Sequence, residues 1–229
     1  MRTYRLCAVL AARALSKSPW TLLIPPVYAA LLVPTAALAA QLGLVGGFVY
    51  ALVTDALLAS LLFVVSELVG GSRVRLHELP RSVGHYFWPI MNVLFVLWIA
   101  SFLLRPVVAS IPNGETFMLG IWLVLFILLN AVPEVIYRRG TYGGLAAIGA
   151  SIGFVQEHWL VWLPPNLALG ALLWFALPPL AAAGPLGFLL APILAGALIH
   201  AFLVFRGFLF EELDGSTSRQ RALRHRLGR

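Results

Sequence analysis

Apolar residues along the chain gather into six long runs that are separated by short polar or basic segments. Each run holds roughly 20 residues, which is the length an α-helix needs to cross the hydrocarbon core of a bilayer. The runs lack the period-two alternation of barrel strands, so the pattern favours helices. We therefore predict an all-α, six-transmembrane-helix bundle with spans at residues 20–41, 46–69, 86–111, 116–137, 165–183 and 186–210.

The basic residues between these runs predict how the spans are oriented. All of the 16 Lys and Arg residues except Arg105 lie near a terminus or in the second and fourth connections. The first and fifth connections carry no charge, and the third carries only Glu115. Because Lys and Arg stay on the cytoplasmic side, both termini are expected to be cytoplasmic, which agrees with an even number of spans. The predicted location is the cytoplasmic (inner) membrane, with multiple crossings.

Composition narrows the class of protein further. The 229 residues are 61% hydrophobic and 11% charged, with a mean hydropathy of +0.92, whereas about 25% of the residues of a soluble domain are charged. An ordinary soluble enzyme and a disordered chain are thereby excluded. The single Cys7 excludes an internal disulfide and a cysteine-based metal site.

The net charge of +7 has two expected consequences besides orientation. Basic residues at the cytoplasmic face attract anionic lipid headgroups, which are predicted partners together with other membrane protein subunits. Nucleic acid is not a predicted partner, because no recognition fold accompanies the basic C-terminal residues.

One plan recurs three times and predicts how the single membrane domain is organised. The proposed units are residues 1–71, 72–140 and 141–215, followed by a basic cytoplasmic tail at 216–229. Each unit begins with a segment at the inner face, continues with an aromatic residue and proline, and contains two spans. Internal triplication explains this plan, and so does interface chemistry common to all hairpins that start at the inner face.

The leading segments of these units are predicted to be helices that lie in the membrane interface. In the first, the basic residues share one face of the helix. In the third, an apolar stripe runs beside a face of small residues, which permits close approach of another helix in lipid. The basic face is Arg2, Arg5, Arg13 and Lys17; the stripe is Leu145, Ile148, Ile152 and Val155; the small residues are Ala146, Gly149, Ala150 and Gly153.

The aromatic–proline entries carry a resemblance to a known group of families. They read Trp20 before Pro25, Trp88-Pro89, and Trp162 before Pro164. Interfacial helix plus hairpin units of this kind resemble the polytopic bacterial families around the membrane domain of glycerophosphoryl diester phosphodiesterases. The resemblance implies a multi-span helical bundle. It implies no activity, because the phosphodiesterase catalytic domain is absent from these residues.

Polar side chains inside the spans are the first candidates for function, since each ionisable group costs several kcal/mol unless it is paired or hydrated. Asp55, Arg105 and His200 are the ionisable groups, and Asn130 is a polar neighbour. We predict that these four form a polar cluster that lines a cavity or relays protons. The alternative is a single interhelical pair of Asp55 with an arginine or a histidine, with Arg105 extending outward to the interface.

Acidic residues near the inner ends of the spans form a second candidate set. Glu67, Glu134 and Glu211 come from one unit each, so they could form a cytoplasmic ring that gates a path or binds a cation. The alternative is an interfacial salt bridge at each position. Glu134 precedes Arg138 by four residues, the favourable order for a pair on one helix.

Two short motifs raise the question of catalysis. Residues 149–153 match G-x-S-x-G, but a hydrolase would need Ser151 beside a deep histidine such as His200. Glu157 and His158 are adjacent, and adjacent helical residues do not converge on a metal, although His77 or His85 could complete such a site. The prediction is no catalytic residue, no metal and no cofactor.

The sequence therefore favours a non-catalytic polytopic membrane subunit or scaffold that binds a protein partner or lipid. The main alternative is a permease component for a small solute, an ion or a lipid, which would use the Asp55, His200 and Arg105 cluster in transport. An intramembrane hydrolase is the third hypothesis.

Overall fold

The computed structural model describes residues 2–215, which form helices and turns with no strand among them. Two short 3-10 segments lie at Pro19–Leu23 and Leu76–Glu78. The predicted basic tail, 216–229, lies outside the described residues. The α-helices are α1 Arg2–Lys17, α2 Ile24–Gln41, α3 Gly43–Val69, α4 Leu79–Ala109, α5 Gly114–Leu128, α6 Val132–Arg139, α7 Gly144–Ala182 and α8 Pro185–Asp214.

Six stretches of the described chain are long and apolar enough to cross a membrane, which confirms the predicted all-α, six-span class. Four of them contain a predicted span completely, and the third and fifth end at Ala109 and Ala182, one or two residues before the predicted span does. The stretches are Pro19–Gln41, Gly43–Val69, Leu76–Ala109, Gly114–Arg139, Gly144–Ala182 and Pro185–Asp214.

Helix α7 differs from its predicted outline. Its 39 residues correspond to about 58 Å at 1.5 Å per residue, well beyond the roughly 30 Å of a hydrocarbon core. The helix passes through Pro164 and Pro165 without ending. The predicted leading segment of the third unit and the fifth span are therefore one helix, and the three-unit plan itself stays a prediction.

The described chain divides into two packing units, and the first comprises residues 1–27, 65–74 and 165–229. In this unit α1 packs against α8, and the residues of α1 that are buried, Cys7, Ala11 and Ala14, recur at helical spacing. Small side chains let the two helices approach closely. The opposite face of α1 exposes its basic residues, as the sequence indicated: Arg2, Arg5, Arg13 and Lys17.

Another close approach in the first unit requires a glycine. A Cβ atom added at Gly196 of α8 would lie 2.6 Å from Cδ of Pro26, near the start of α2. No larger residue fits there without displacing a rigid proline ring. This contact and the α1 contact both involve α8, so α8 is the central helix of the first unit.

The second packing unit comprises residues 28–64 and 75–164, and a chain of hydroxyl groups links α2, α3 and α4 within it. Tyr28 Oη lies 2.7 Å from Ser60 Oγ, which lies 2.6 Å from Ser82 Oγ. Ser82 donates its proton to the Leu79 carbonyl at 2.5 Å. Because each hydroxyl has one proton, Ser60 donates to Ser82 and Tyr28 donates to Ser60. The chain satisfies two buried serines and fixes three helices together.

Packing at the α1 face can be tested by overfilling it. Ala11→Leu inserts three carbon atoms where Ala11 is only 5% exposed, so we expect destabilisation of about 1–3 kcal/mol. Ala12→Leu is the matched control, because Ala12 is exposed on the same helix. Thermal unfolding of both variants in detergent measures the difference. Equal melting temperatures would show that α1 does not pack against α8 in this way.

Cys7 reports on the same contact by its reactivity. Burial raises the pKa of the Cys7 thiol from its ordinary 9.0 to about 11, and the Glu212 carboxylate adds to the rise. The thiolate is the reactive form, and this rise lowers its fraction at neutral pH by roughly 100-fold. We expect slow maleimide labelling of the folded protein at pH 7, with faster labelling as pH rises. A Cys7→Ala, Ala12→Cys variant is the exposed control, and equal rates at both positions would contradict the buried placement.

Candidate polar site at the break in the fourth span

The fourth span is interrupted near its middle, where α5 ends at Leu128 and α6 begins at Val132. The Val132 amide donates to the Leu129 carbonyl at 3.1 Å, three residues back instead of four. Pro133 has no amide proton, so it cannot continue the ladder in the usual register. Because the Val132 amide bonds Leu129, the Leu128 carbonyl lacks the donor that it would have in a continuous α-helix. The predicted span 116–137 lies within the apolar stretch Gly114–Arg139, and the structure divides this stretch into two helices joined by a turn.

Ser151 of α7 satisfies the carbonyl that the break leaves open. Its Oγ donates to the Leu128 oxygen at 2.9 Å, and the side chain is fully buried. Within hydrocarbon an unsatisfied backbone group costs several kcal/mol, so this bond holds α7 against the break. The only proton of the Ser151 hydroxyl is thereby used, and the side chain is not presented as a nucleophile.

Asn130 lies within the break and makes the second bond to α7. Its Oδ1 accepts a hydrogen bond from Trp162 Nε1 at 3.0 Å, and Trp162 is fully buried. The Phe154 ring meets Trp162 edge-on, with centroids 5.1 Å apart, and meets the His158 ring at 4.9 Å. The Arg139 guanidinium lies 5.9 Å from the Phe154 centroid. The Asn130 bond thus connects the break to an aromatic cluster on α7.

Glu134 lies in the first turn of α6, immediately beyond the break, and only 1% of it is exposed. The positive end of the helix dipole favours a carboxylate at this place. Its predicted partners in an acidic ring, Glu67 and Glu211, are half-buried residues of the first packing unit. The ring stays a prediction, and so does the salt bridge of Glu134 with Arg138.

The predicted cluster of ionisable groups is only partly within one packing unit. Asp55, Arg105 and Asn130 belong to the second unit, and His200 belongs to the first. Asp55 is 8% exposed in α3, whereas Arg105 is exposed on α4. Among the described residues these two side chains form no ion pair with each other. Arg105 instead borders a hollow near the α4–α5 turn that Glu115 also lines.

His200 is fully buried in α8, and neither ring nitrogen has a hydrogen-bond partner among the described residues. A catalytic base would bond the serine hydroxyl, and His200 makes no such bond with the described residues. The complete cluster of Asp55, Arg105, Asn130 and His200 stays a prediction.

The histidines considered for a metal site are dispersed. His158 Nε2 lies 3.8 Å from Glu157 Oε1, but Glu157 is 72% exposed. His85 makes edge-on ring contacts with Phe63 and Tyr86, and His77 is exposed. Within residues 2–215 no three His, Cys, Asp or Glu side chains come together as a metal ion would require.

No protein-family model, curated protein or solved structure matches this chain. The resemblance to the families around the glycerophosphoryl diester phosphodiesterase membrane domain therefore stays a prediction. Function has to be inferred from the geometry of the chain itself.

Sequence reasoning placed Asn130 among the polar candidates but missed the break that it occupies. The local signal was present, because Asn130 and Pro133 stand three residues apart inside an apolar run. The partners were not visible, since Ser151 and Trp162 lie more than 20 residues further along the chain. The sequence itself indicates Ser151 only as part of a G-x-S-x-G motif.

The role of Ser151 can be tested by removing its hydroxyl. Ser151→Ala leaves the part-buried Leu128 carbonyl without a donor, so we expect a loss of about 1–3 kcal/mol in stability. Ser101→Ala is the control, because Ser101 Oγ bonds the Leu97 carbonyl of its own helix. We also expect no labelling of the wild-type protein by a fluorophosphonate. Labelling that disappears in Ser151→Ala would establish the hydrolase hypothesis instead.

Proposed function

We propose that this chain is a non-catalytic polytopic membrane subunit or scaffold that binds a partner protein or lipid through its outward helix faces. The observation that carries the proposal is the use of polar side chains around the broken span. Ser151, Asn130 and Trp162 bond the chain itself, as do the serines between α3 and α4. Groups engaged in this way hold helices together and are not available to a substrate.

One hollow of the second unit supports the same proposal, whereas the hollow near the α4–α5 turn has the charged Arg105 and Glu115 in its wall. The hollow beside the break has a volume of about 210 Å³, and every side chain that lines it is apolar. A solute or ion path would need polar groups along its wall, because nothing else replaces the hydration of the substrate. An apolar wall is instead suited to contact with lipid acyl chains.

The small-residue face of α7 supports a protein partner. Cβ atoms added at Gly149 or Gly153 would meet nothing within 4 Å, so residues 2–215 do not pack against these two positions. In lipid, small residues at this spacing allow the close approach of another helix. The exposed basic face of α1 supports contact with anionic headgroups.

We also infer that the protein lies in the cytoplasmic membrane with both termini inside. The support is the distribution of Lys and Arg among the connections.

A permease component is the second candidate, and Asp55 is the observation that favours it. Asp55 lies about 18 Å along α3 from Gly43, at 1.5 Å per residue. It has no hydrogen bond or ion pair with the described residues, although a carboxylate at this depth is costly. A proton or cation carried along α3 would compensate this cost.

Native purification with mass spectrometry of the associated chains and lipids tests the proposed function. We expect a stoichiometric partner with the wild-type protein and several-fold less of it with Gly149→Leu, Gly153→Leu. Gly47→Leu is the matched control, because a Cβ at Gly47 also meets open space. We expect no solute flux from purified protein in liposomes. Flux that is lost in Asp55→Asn, with the protein still folded in the membrane, would replace the scaffold by the permease.

A further inference from the structure

The apolar hollow beside the break in the fourth span is a groove with a buried floor and an exposed rim. Leu62, Ile90 and Ile136 of the floor are 3%, 5% and 1% exposed. Leu58 and Leu94 of the rim are 39% and 38% exposed. The groove is formed by α3, α4 and the residues from the end of α5 into α6, all within one packing unit.

The break itself accounts for the groove. Leu129, Val132 and Pro133 all line it, and they are the residues at which the fourth span leaves regular helical geometry. In a continuous helix, the side chains of this segment would repeat once per turn along one face. The interruption leaves a space that no described side chain fills.

Water and the chain's own tail are both poor occupants of this space. A buried water needs two to four polar partners, and the groove lining has only apolar side chains. The residues at 216–229 are mostly polar or basic, so they are unsuited to an apolar wall. An empty groove would forfeit the dispersion contacts of its floor. The bilayer around the spans supplies hydrocarbon, and 210 Å³ exceeds the roughly 150 Å³ of an apolar cavity that holds benzene.

Charge identifies the headgroup that would accompany such a chain. At about 100° per residue, Val132, Ile136 and Arg139 fall on one face of α6, with Arg139 one turn beyond the groove floor. Arg138 and Arg139 are both exposed at the end of α6, and the Arg139 guanidinium lies 5.9 Å from the Phe154 centroid, a ring contact that leaves its positive charge in place. Basic residues at the end of an interhelical groove bind anionic lipid headgroups.

We infer that this groove binds one acyl chain of an anionic phospholipid from the bilayer, with its phosphate held at Arg139. This inference rests on the proposed function and identifies the ligand of its lipid-binding part. Absence of the lipid would leave the protein-binding part, and the test of that part, intact.

Photo-crosslinking tests the acyl-chain site. The full chain is reconstituted into phosphatidylcholine vesicles that contain phosphatidylglycerol with a diazirine on one acyl chain, and mass spectrometry locates the crosslinks. We expect crosslinks at the groove and a several-fold loss in Leu94→Trp, which fills the rim. Leu103→Trp is the matched control, because Leu103 is 62% exposed on the same helix but does not line the groove. Leu58→Phe fills the opposite rim if Leu94→Trp does not fold.

The headgroup is tested by placing the same diazirine chain on phosphatidylcholine. We expect phosphatidylglycerol to label the groove about five-fold more strongly, as about 1 kcal/mol from one basic residue implies. Arg139→Gln should remove this preference and Arg139→Lys should keep it, while Arg81→Gln, an exposed position on α4, should not change it.

Three outcomes would overturn the inference. They are labelling spread evenly over exposed apolar positions and unchanged by Leu94→Trp, equal labelling by the two lipids in the wild-type protein, and crosslinking between two copies of the chain through the groove. The last result would identify a second copy as the occupant.

Discussion

The requirement that every backbone polar group be satisfied inside the chain governs this structure, because hydrocarbon offers no alternative partner. The break in the fourth span makes the requirement visible. Pro133 cannot donate, Val132 bonds the wrong carbonyl for an α-helix, and the Leu128 oxygen would remain open. Ser151 closes it from α7. The shifted Val132 bond thus leaves one carbonyl that a side chain of the neighbouring helix satisfies.

The same constraint explains why so few polar side chains remain for chemistry. Asn130 and Trp162 bond each other within the membrane region, and Ser60 and Ser82 pass their protons along a chain that ends at a backbone carbonyl. Such bonds contribute roughly 0.6–2 kcal/mol each to a helical membrane protein. These bonds hold the helices together, and this use of polar side chains supports the proposed scaffold over a catalyst.

Exposure of an apolar side chain is unfavourable in water but not in lipid. Leu44 is 94% exposed and Trp174 is 75% exposed, yet neither is a liability where the solvent is itself hydrocarbon. The outward faces are therefore available to lipid and to other helices. The groove beside the break is the surface for which we propose an anionic lipid as ligand, because an apolar wall and a nearby arginine occur there together.

The sequence determined the number and class of the spans, the basic face of α1 and the presence of a few deep polar groups, because hydropathy, length and helical spacing are local properties. It did not determine what the prolines do. Pro133 accompanies a break, whereas α7 runs uninterrupted through Pro164 and Pro165. It also did not determine that Ser151 serves as a structural donor, or that Asp55 and Arg105 do not pair. Whether a freed carbonyl ends a helix depends on which side chain from another helix can reach it, and only the tertiary structure decides that.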